Sequence, residues 1–179
     1  ILANALLPVG NGGDIIVWSE QQTNVGGVFE AKGGKLGGNG GLIETSGKLG
    51  LTIAPGTVVN SSAANGMAGT WLLDPAGVQV TDNPGGLGGP VFNQNANTNN
   101  VYAGDVISAL AAGTNVTIQT TNAFPSANRD IVVDAALSLL PTNPAVMLSL
   151  LSAGGIQINQ TIGGLDVPLD VLMNAANGS

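Results

Sequence analysis

Acidic side chains are the groups in this sequence best suited to chemistry. The chain carries 11 Asp and Glu residues but no histidine. Polysaccharide-cleaving enzymes work with a pair of carboxylates, and two sets here would line up if successive segments of the chain stacked: Glu20, Glu30 and Glu44, and Asp130 and Asp134. The usual acid–base partners are missing, since Arg129 is the sole arginine. We therefore predict that these carboxylates keep the surface soluble and that the chain is not an enzyme.

The composition also argues against cofactor and metal sites. Without Cys or His, the chain can form neither a Cys/His zinc site nor a histidine-dependent nucleophilic triad. The stretch GGNGGLIET is similar to the Gly-rich repeats of calcium-binding β-rolls, but Gly41 and Leu42 stand where a carboxylate is needed. The stretch is also unlike a phosphate-binding loop, because no Lys-Ser/Thr follows its glycines. We predict no cofactor and no metal, and we interpret these glycines as corner residues.

Charge and hydropathy narrow the range of partners. The net charge is −7, and the cations are Lys32, Lys35, Lys48 and Arg129. Nucleic acids and anionic membrane surfaces both require a basic patch, so we expect neither as a partner. No apolar run approaches the ~18 residues of a membrane-spanning helix, and we expect no membrane insertion.

Short β-like runs separated by Gly, Asn, Asp and Pro fill most of the chain. One helix is predicted over 105–113, ending at Gly113. Trp18 and Trp71 are predicted to be core or ladder-end residues, and Asp74 a turn carboxylate that caps backbone amides. The predicted strands are 14–18, 26–31, 41–46, 49–54, 57–61, 69–74, 77–81, 114–120, 130–137, 145–151, 155–162 and 168–173.

Internal repetition favours a parallel β-helix over a sandwich or barrel. Ile131 and Val133 match Ile156 and Ile158, and Leu150 matches Leu172, so the repeat is about 20 to 25 residues, the size of one coil. The 28 glycines then belong at corners, many of them with positive φ. About eight coils at roughly 4.8 Å would make a rod near 40 Å long.

Four motifs resemble one bacterial protein family. They are GGDIIVW at 12–18, GVFEAKGG at 27–34, GGLIETSG at 40–47 and GTWLLDP at 69–75. Together with the following DVISALAAGTNVTIQTTN, they are similar to the filamentous-haemagglutinin-like adhesins of the two-partner secretion pathway of Gram-negative bacteria. The resemblance covers roughly residues 12–178, a segment downstream of that family's secretion domain.

The resemblance implies a right-handed parallel β-helix in a single domain, 1–179, of a longer exoprotein. It also implies export through an outer-membrane transporter, a secreted or cell-surface location, and roles in adhesion, aggregation or biofilm. The partners it implies are glycans or proteins of host cells or extracellular matrix. A polysaccharide-binding or polysaccharide-cleaving β-helix is the alternative.

The remaining expectations concern one loop and the two ends. Residues 81–105 are predicted to form an irregular loop inserted at one corner. The apolar start, ILANALLP, is expected to cover one end of the rod. The last predicted strand has no obvious cap, so either further coils follow or copies stack head to tail into filaments.

Overall fold

The computed structural model describes residues 1–83, 99–120, 129–141 and 143–176. Nearly all of its regular structure is short strand, with one helix. The elements are β1 Ile15–Ser19, β2 Gln22–Val25, β3 Val28–Glu30, β4 Leu42–Gly47, β5 Gly50–Ile53, β6 Val58–Asn60, β7 Thr70–Pro75, β8 Val78–Thr81, β9 Asn99–Tyr102, α1 Ala103–Ala111, β10 Asn115–Gln119, β11 Ile131–Val133, β12 Leu137–Ser138, β13 Val146–Ser152, β14 Ile156–Ile158, β15 Ile162–Gly163 and β16 Leu169–Ala175.

Every strand pair in the described structure is parallel, and all strands except the pair β8 and β9 bond to strands of the next or previous winding of the chain. One sheet has six strands in the order β1-β4-β7-β10-β13-β16. The other sheets follow the same rule, with β2 on β5, β3 on β6, β12 on β15, and the order β14-β11-β8-β9. We call each strand position along the six-stranded sheet a level. The mostly β composition and this long parallel sheet are consistent with the predicted β-solenoid.

Apolar side chains that point between the sheets form the core. In the six-stranded sheet, Ile43, Trp71, Val116 and Leu148 occupy one row of neighbouring positions, and all four are fully buried. The Trp71 indole Nε1–H donates to the buried Thr45 hydroxyl at 2.9 Å, so its one polar atom is satisfied. Trp71 is thus a core residue, as predicted.

The strand predictions were accurate except where a strand is polar or lies beside the inserted segment. Strand β2 has the sequence QTNV and was missed, because it lacks a run of apolar residues. Strand β9 was also missed, so residues 99–102 are strand rather than loop, while residues 84–98 lie outside the described part. The predicted strands 130–137 and 155–162 are each two strands separated by a corner.

Helix α1 and strand β9 change the stacking in the middle of the molecule. Strand β8 pairs with β11 along one edge and with β9 along the opposite edge. On β5, the Leu51 N–H donates to the side-chain carbonyl oxygen of Asn99 at 2.8 Å. Helix α1 contacts β6 on one side and β12 on the other. Because an α-helix is about 10 Å wide and strands are about 4.8 Å apart, α1 fills the height of two strands.

The predicted repeat is correct in one place and wrong by one residue in another. Ile131 pairs with Ile156, and Val133 pairs with Ile158, as the sequence suggested. Leu150, however, pairs with Met173, while Leu172 pairs with Ser149. A shift of one residue reverses the face, so Leu172 points outward and is 50% exposed. The sheet also has six levels instead of eight coils, which corresponds to about 24 Å.

Close approach of stacked backbones explains more glycines than positive φ does. Among the described glycines, only Gly27, Gly38, Gly56, Gly113 and Gly163 have positive φ. At Gly41 φ is ordinary, but a Cβ atom would lie 1.9 Å from the carbonyl oxygen of Gly13, the corresponding residue one level earlier. We predicted positive φ at many corner glycines, and it occurs at these five described ones. More of the described glycines, such as Gly41, instead leave out a Cβ that the neighbouring level would not accommodate.

Asparagine side chains also connect the levels. The Asn11 side-chain oxygen accepts from the Asn39 N–H at 2.9 Å, and the Asn39 side-chain oxygen accepts from the Met67 N–H at 2.9 Å. Asn4 and Asn115 accept in the same way from Lys32 and Met147 one level on. These side chains satisfy backbone amides at corners and, at Met147, near the start of a strand.

Replacing Gly41 by alanine should test the close approach. We expect Gly41→Ala to lower the free energy of unfolding by on the order of 3 kcal/mol, because the new Cβ forces two backbones apart. The control is Gly37→Ala in the same Gly-rich stretch, where the nearest atom to the new Cβ is a Val9 methyl at 3.7 Å. Urea unfolding checks both, and equal losses in the two variants would contradict this explanation.

Candidate binding face

The first predicted carboxylate set does not come together. Glu20 lies in a corner and pairs with Lys48, whose ammonium is 2.7 Å away. Glu30, at the end of β3, pairs with Lys32 at 2.9 Å and accepts from the Asn4 side-chain amide. Glu44 stands on the six-stranded sheet. The expected stack was wrong because these residues lie on three different sides of the fold.

The Lys32 and Asn4 contacts lower the pKa of Glu30. The hydrogen bond from Lys32 is the largest cause, followed by that from Asn4. The carboxylate is therefore held ionised by its partners. Such an environment suits a structural ion pair at a corner better than a proton-transferring group, whose pKa would have to lie near the working pH.

The second predicted set, Asp130 and Asp134, flanks strand β11 and connects levels. Asp130 accepts from the Gly155 N–H at 2.7 Å. Asp134 accepts from the side-chain amides of Asn159 on one neighbouring level and Gln79 on the other. These hydrogen bonds, with Asn159 first, lower the pKa of Asp134. The two carboxylates thus belong to one winding and do not stack as predicted.

Asp105 is the one described carboxylate that is buried. It is in the first turn of α1, only 3% exposed, and its Oδ1 accepts from the Gly56 N–H at 3.0 Å. Its Oδ2 is buried without a hydrogen-bond partner among the described residues. Burial raises the pKa of Asp105, and the amides of Gly56 and Thr57 offset part of that effect. The side chain fastens α1 to the corner that precedes β6.

The six-stranded sheet has more strands than any other sheet of the described structure, and its outward side forms a regular surface. Strand register arranges its side chains in three rows that run across the levels. The first row is Asp14, Leu42, Thr70, Asn115, Met147 and Asp170; the second is Ile16, Glu44, Leu72, Thr117, Ser149 and Leu172; the third is Trp18, Ser46, Asp74, Gln119, Leu151 and Asn174. We call this surface the outer sheet face.

The outer sheet face mixes carboxylates, amides, hydroxyls and apolar groups, and none of the residues in its three rows is a cation. Trp18 is 52% exposed at the end of the third row, on the first strand of the sheet. Asp74 is part of strand β7 and accepts from the Gln119 amide at 3.5 Å, so its predicted role in a turn was wrong. Sequence reasoning missed the face because its neighbours lie 23 to 45 residues apart in the chain.

A shallow groove runs beside the first row. It has a volume of about 340 Å³ and is lined by Asp14, Leu42 and Thr70 together with corner residues such as Gly12, Gly40 and Gly69. Because these corners carry no side chains, the backbone itself forms the floor of the groove. The groove therefore extends the outer sheet face beyond the ends of its strands.

Other kinds of site are not seen in the described part of the chain. Within residues 1–83, 99–120, 129–141 and 143–176, no three acidic side chains gather closely enough to hold a metal ion. The same residues include no helix that is both long and apolar enough to cross a bilayer.

Comparison with known proteins gave no assignment. No protein-family model matches the chain, and no curated protein matches it significantly. The resemblance to two-partner secretion adhesins therefore stays a prediction from the motifs.

Removing the charge of Asp105 should change how stability depends on pH. Folding raises the pKa of Asp105 above its ordinary value of 3.8. The stability contributed by the protonated Asp105 side chain is therefore complete below pH 3.8 and is lost as the pH rises through the pKa of the folded state. We expect Asp105→Asn to unfold at higher urea than the parent at pH 7, with the difference shrinking towards pH 3. Asn keeps the Oδ1 acceptor for the Gly56 amide.

The control for Asp105→Asn is Asp170→Asn, which removes one charge from an exposed position. Urea unfolding of the three proteins from pH 3 to pH 7 separates the two effects. A parent protein whose advantage over Asp105→Asn grows with pH would show that the buried carboxylate is stabilising when ionised, contrary to the expectation.

Proposed function

We propose that this chain is a rod-forming segment of a secreted, non-enzymatic adhesin of the filamentous-haemagglutinin-like kind, wound as a right-handed parallel β-helix. The observation that carries the proposal is the continuous six-stranded parallel sheet, whose outward side is a flat and regular surface. Such a molecule would act as a rigid spacer and as a display surface at the cell exterior or in extracellular matrix.

The bonding between levels supports a mechanical role. Each level is joined to the next by backbone hydrogen bonds on several sheets and by asparagine side chains at the corners. In a fold of this kind each unit contacts only its neighbours, so length can increase without a larger core. A stiff rod with many parallel bonds suits a protein that must bear load between a cell and a surface.

The proposed partners follow from the motif resemblance and from the charge. Export would use an outer-membrane transporter, and the exposed rod would contact glycans or proteins of host cells or matrix. The net charge of −7 disfavours anionic polymers such as nucleic acid. Many weak contacts along a repetitive surface would add up through multivalency.

Head-to-tail association of copies is part of the proposal. At the last level, the inward-facing Val171 and Met173 are 41% and 46% exposed, whereas their partners Leu148 and Leu150 are fully buried. The other edge of β16 has no strand partner among the described residues. A parallel strand from a further winding or from another copy would cover both the apolar side chains and the free backbone groups.

The first level offers a complementary edge. Residues before β1 bond alongside β3, where the Ala3 N–H donates to the Glu30 carbonyl at 2.7 Å and Leu2 pairs with Glu30. Within the described residues nothing pairs with the outer edge of β1. The expected cover by ILANALLP therefore extends over β3 and the segment up to Leu36 that follows it, whereas the outer edge of β1 remains open to a parallel strand.

One observation favours the alternative function, and it concerns polysaccharide binding. Trp18 exposes half of its surface beside hydroxyl and carboxylate groups of the outer sheet face, an arrangement suited to holding a sugar chain. Cleavage has less support, because Glu30 is engaged with Lys32 and lies on another side of the fold from Glu44.

A binding assay paired with an activity assay distinguishes the two functions. We expect the purified chain to bind one or more glycans or matrix proteins saturably and to release no new reducing ends from any polysaccharide. The readouts are a glycan and matrix-protein array and a reducing-end measurement. Cleavage that Glu30→Gln or Glu44→Gln abolishes would overturn the non-enzymatic proposal.

A charge at the open level should prevent self-association. We expect Met173→Lys to remain monomeric at concentrations at which the parent forms larger species, since burying the ammonium between levels is costly. The matched control is Met147→Lys on the neighbouring strand β13, where the methionine points outward and is 41% exposed. Sedimentation velocity and electron microscopy give the readout, and a parent that stays monomeric at every concentration rules out filaments of this chain alone.

A further inference from the structure

The three rows of the outer sheet face contain acidic side chains but no basic ones. Asp14, Glu44, Asp74 and Asp170 are distributed over its three rows, and no Lys or Arg belongs to them. The described cations lie elsewhere: Lys32 and Lys35 near β3, Lys48 in the corner after β4, and Arg129 before β11. The face therefore attracts cationic groups and repels anionic polymers.

The dimensions of the face limit what it can hold. Six strands at about 4.8 Å and rows spread over about five residues of strand give an area of roughly 300–400 Å². This long and narrow outline matches the shape of an extended polymer.

One carboxylate of the face lies between two apolar side chains at the spacing of the strands. Glu44 stands between Ile16 and Leu72 in the second row. Glu44 makes no hydrogen bond or ion pair with any described residue, and it is only partly buried. A sugar ring that carries an ammonium group matches this pattern, because its apolar C–H surface would contact the aliphatic side chains and its charge the carboxylate.

The end of the third row shows a second feature that favours a ligand. Ser46 falls between Trp18 and Asp74, is 1% exposed, and its hydroxyl lacks a hydrogen-bond partner among the described residues. An unpartnered buried hydroxyl is costly unless a further group satisfies it. Trp18, on the neighbouring strand, is 52% exposed, and an indole ring can stabilise a bound ammonium group.

We propose that the outer sheet face binds a linear polysaccharide with free, protonated amino groups. The inference specifies the ligand class of the display surface and rests on the proposed function. The ammonium groups pair with Glu44 and Asp14, and the rings lie on the apolar side chains of the second row. Each exposed ion pair contributes little, so affinity grows with the number of sugar units that are engaged.

The experiment uses the full chain, immobilised, and three hexasaccharide probes: fully deacetylated glucosamine, fully acetylated N-acetylglucosamine, and a sulfated heparin fragment. We expect the deacetylated probe to bind most tightly at low salt and to weaken steeply as salt is raised. Glu44→Gln should weaken it about fivefold and Trp18→Ala about tenfold, corresponding to roughly 1 and 1.4 kcal/mol.

The matched control is Glu30→Gln, which makes the same chemical change on another side of the fold. It should bind the deacetylated probe like the parent, and circular dichroism establishes that each variant is folded. Equal weakening in Glu30→Gln and Glu44→Gln would mean that net charge alone attracts the probe, and the proposed site would be wrong.

The remaining outcomes separate this inference from the proposed function. The chain could instead bind the acetylated probe, the sulfated probe or matrix proteins saturably, with no change in Glu44→Gln and Trp18→Ala. That result would overturn the inference and keep the adhesive function. A chain that binds no probe, glycan or matrix protein would overturn both.

Discussion

Stacking of one winding of the backbone directly on the next is the constraint on which this structure depends. Parallel strands bond at a spacing of about 4.8 Å, and the corners between them must keep that spacing. At Gly41 the neighbouring carbonyl already occupies the space where a Cβ would be. The glycines of the stretch GGKLGGNGG therefore differ in role: some allow contact between windings, whereas Gly37 has room for a side chain. Asparagine side chains complete the bonding at corners that strands do not reach, as Asn11 and Asn39 do.

The same stacking determines what each side of the molecule can do. Inward rows such as Ile43, Trp71 and Val116 are fully buried and form the apolar interior of the described structure. Outward rows become regular surfaces whose character depends on which residue types happen to align. On the outer sheet face that alignment places carboxylates beside apolar groups. Asp105 is an exception among the described carboxylates, because its side chain is buried. It lies on α1, where the regular winding is interrupted.

Much of the fold could be predicted from the sequence, because alternation of apolar and polar residues marks most strands. The pairing of Ile131 with Ile156 was visible because the intervening corners are similar in length. The pairing of Leu150 with Leu172 was off by one, since a corner of different length changes register without changing the apolar pattern. The polar strand β2 gave no signal of this kind. The outer sheet face could not be predicted, because membership of a row depends on register across every intervening corner. The residues Glu20, Glu30 and Glu44 illustrate the difficulty. Their similar spacing along the chain suggested a stack, but the three side chains lie apart in the fold.

The intervals between successive residues of one row have a further consequence. They are 28, 28, 45, 32 and 23 residues from Ile15 through Ile43, Trp71, Val116 and Leu148 to Val171. The sheet nevertheless continues without a break, so segments of quite different length join its successive strands. Distances between surface groups are consequently fixed by hydrogen-bond geometry and are independent of chain length between them. Segments on the far sides could be lengthened, shortened or exchanged while the pattern presented to a binding partner keeps its pitch.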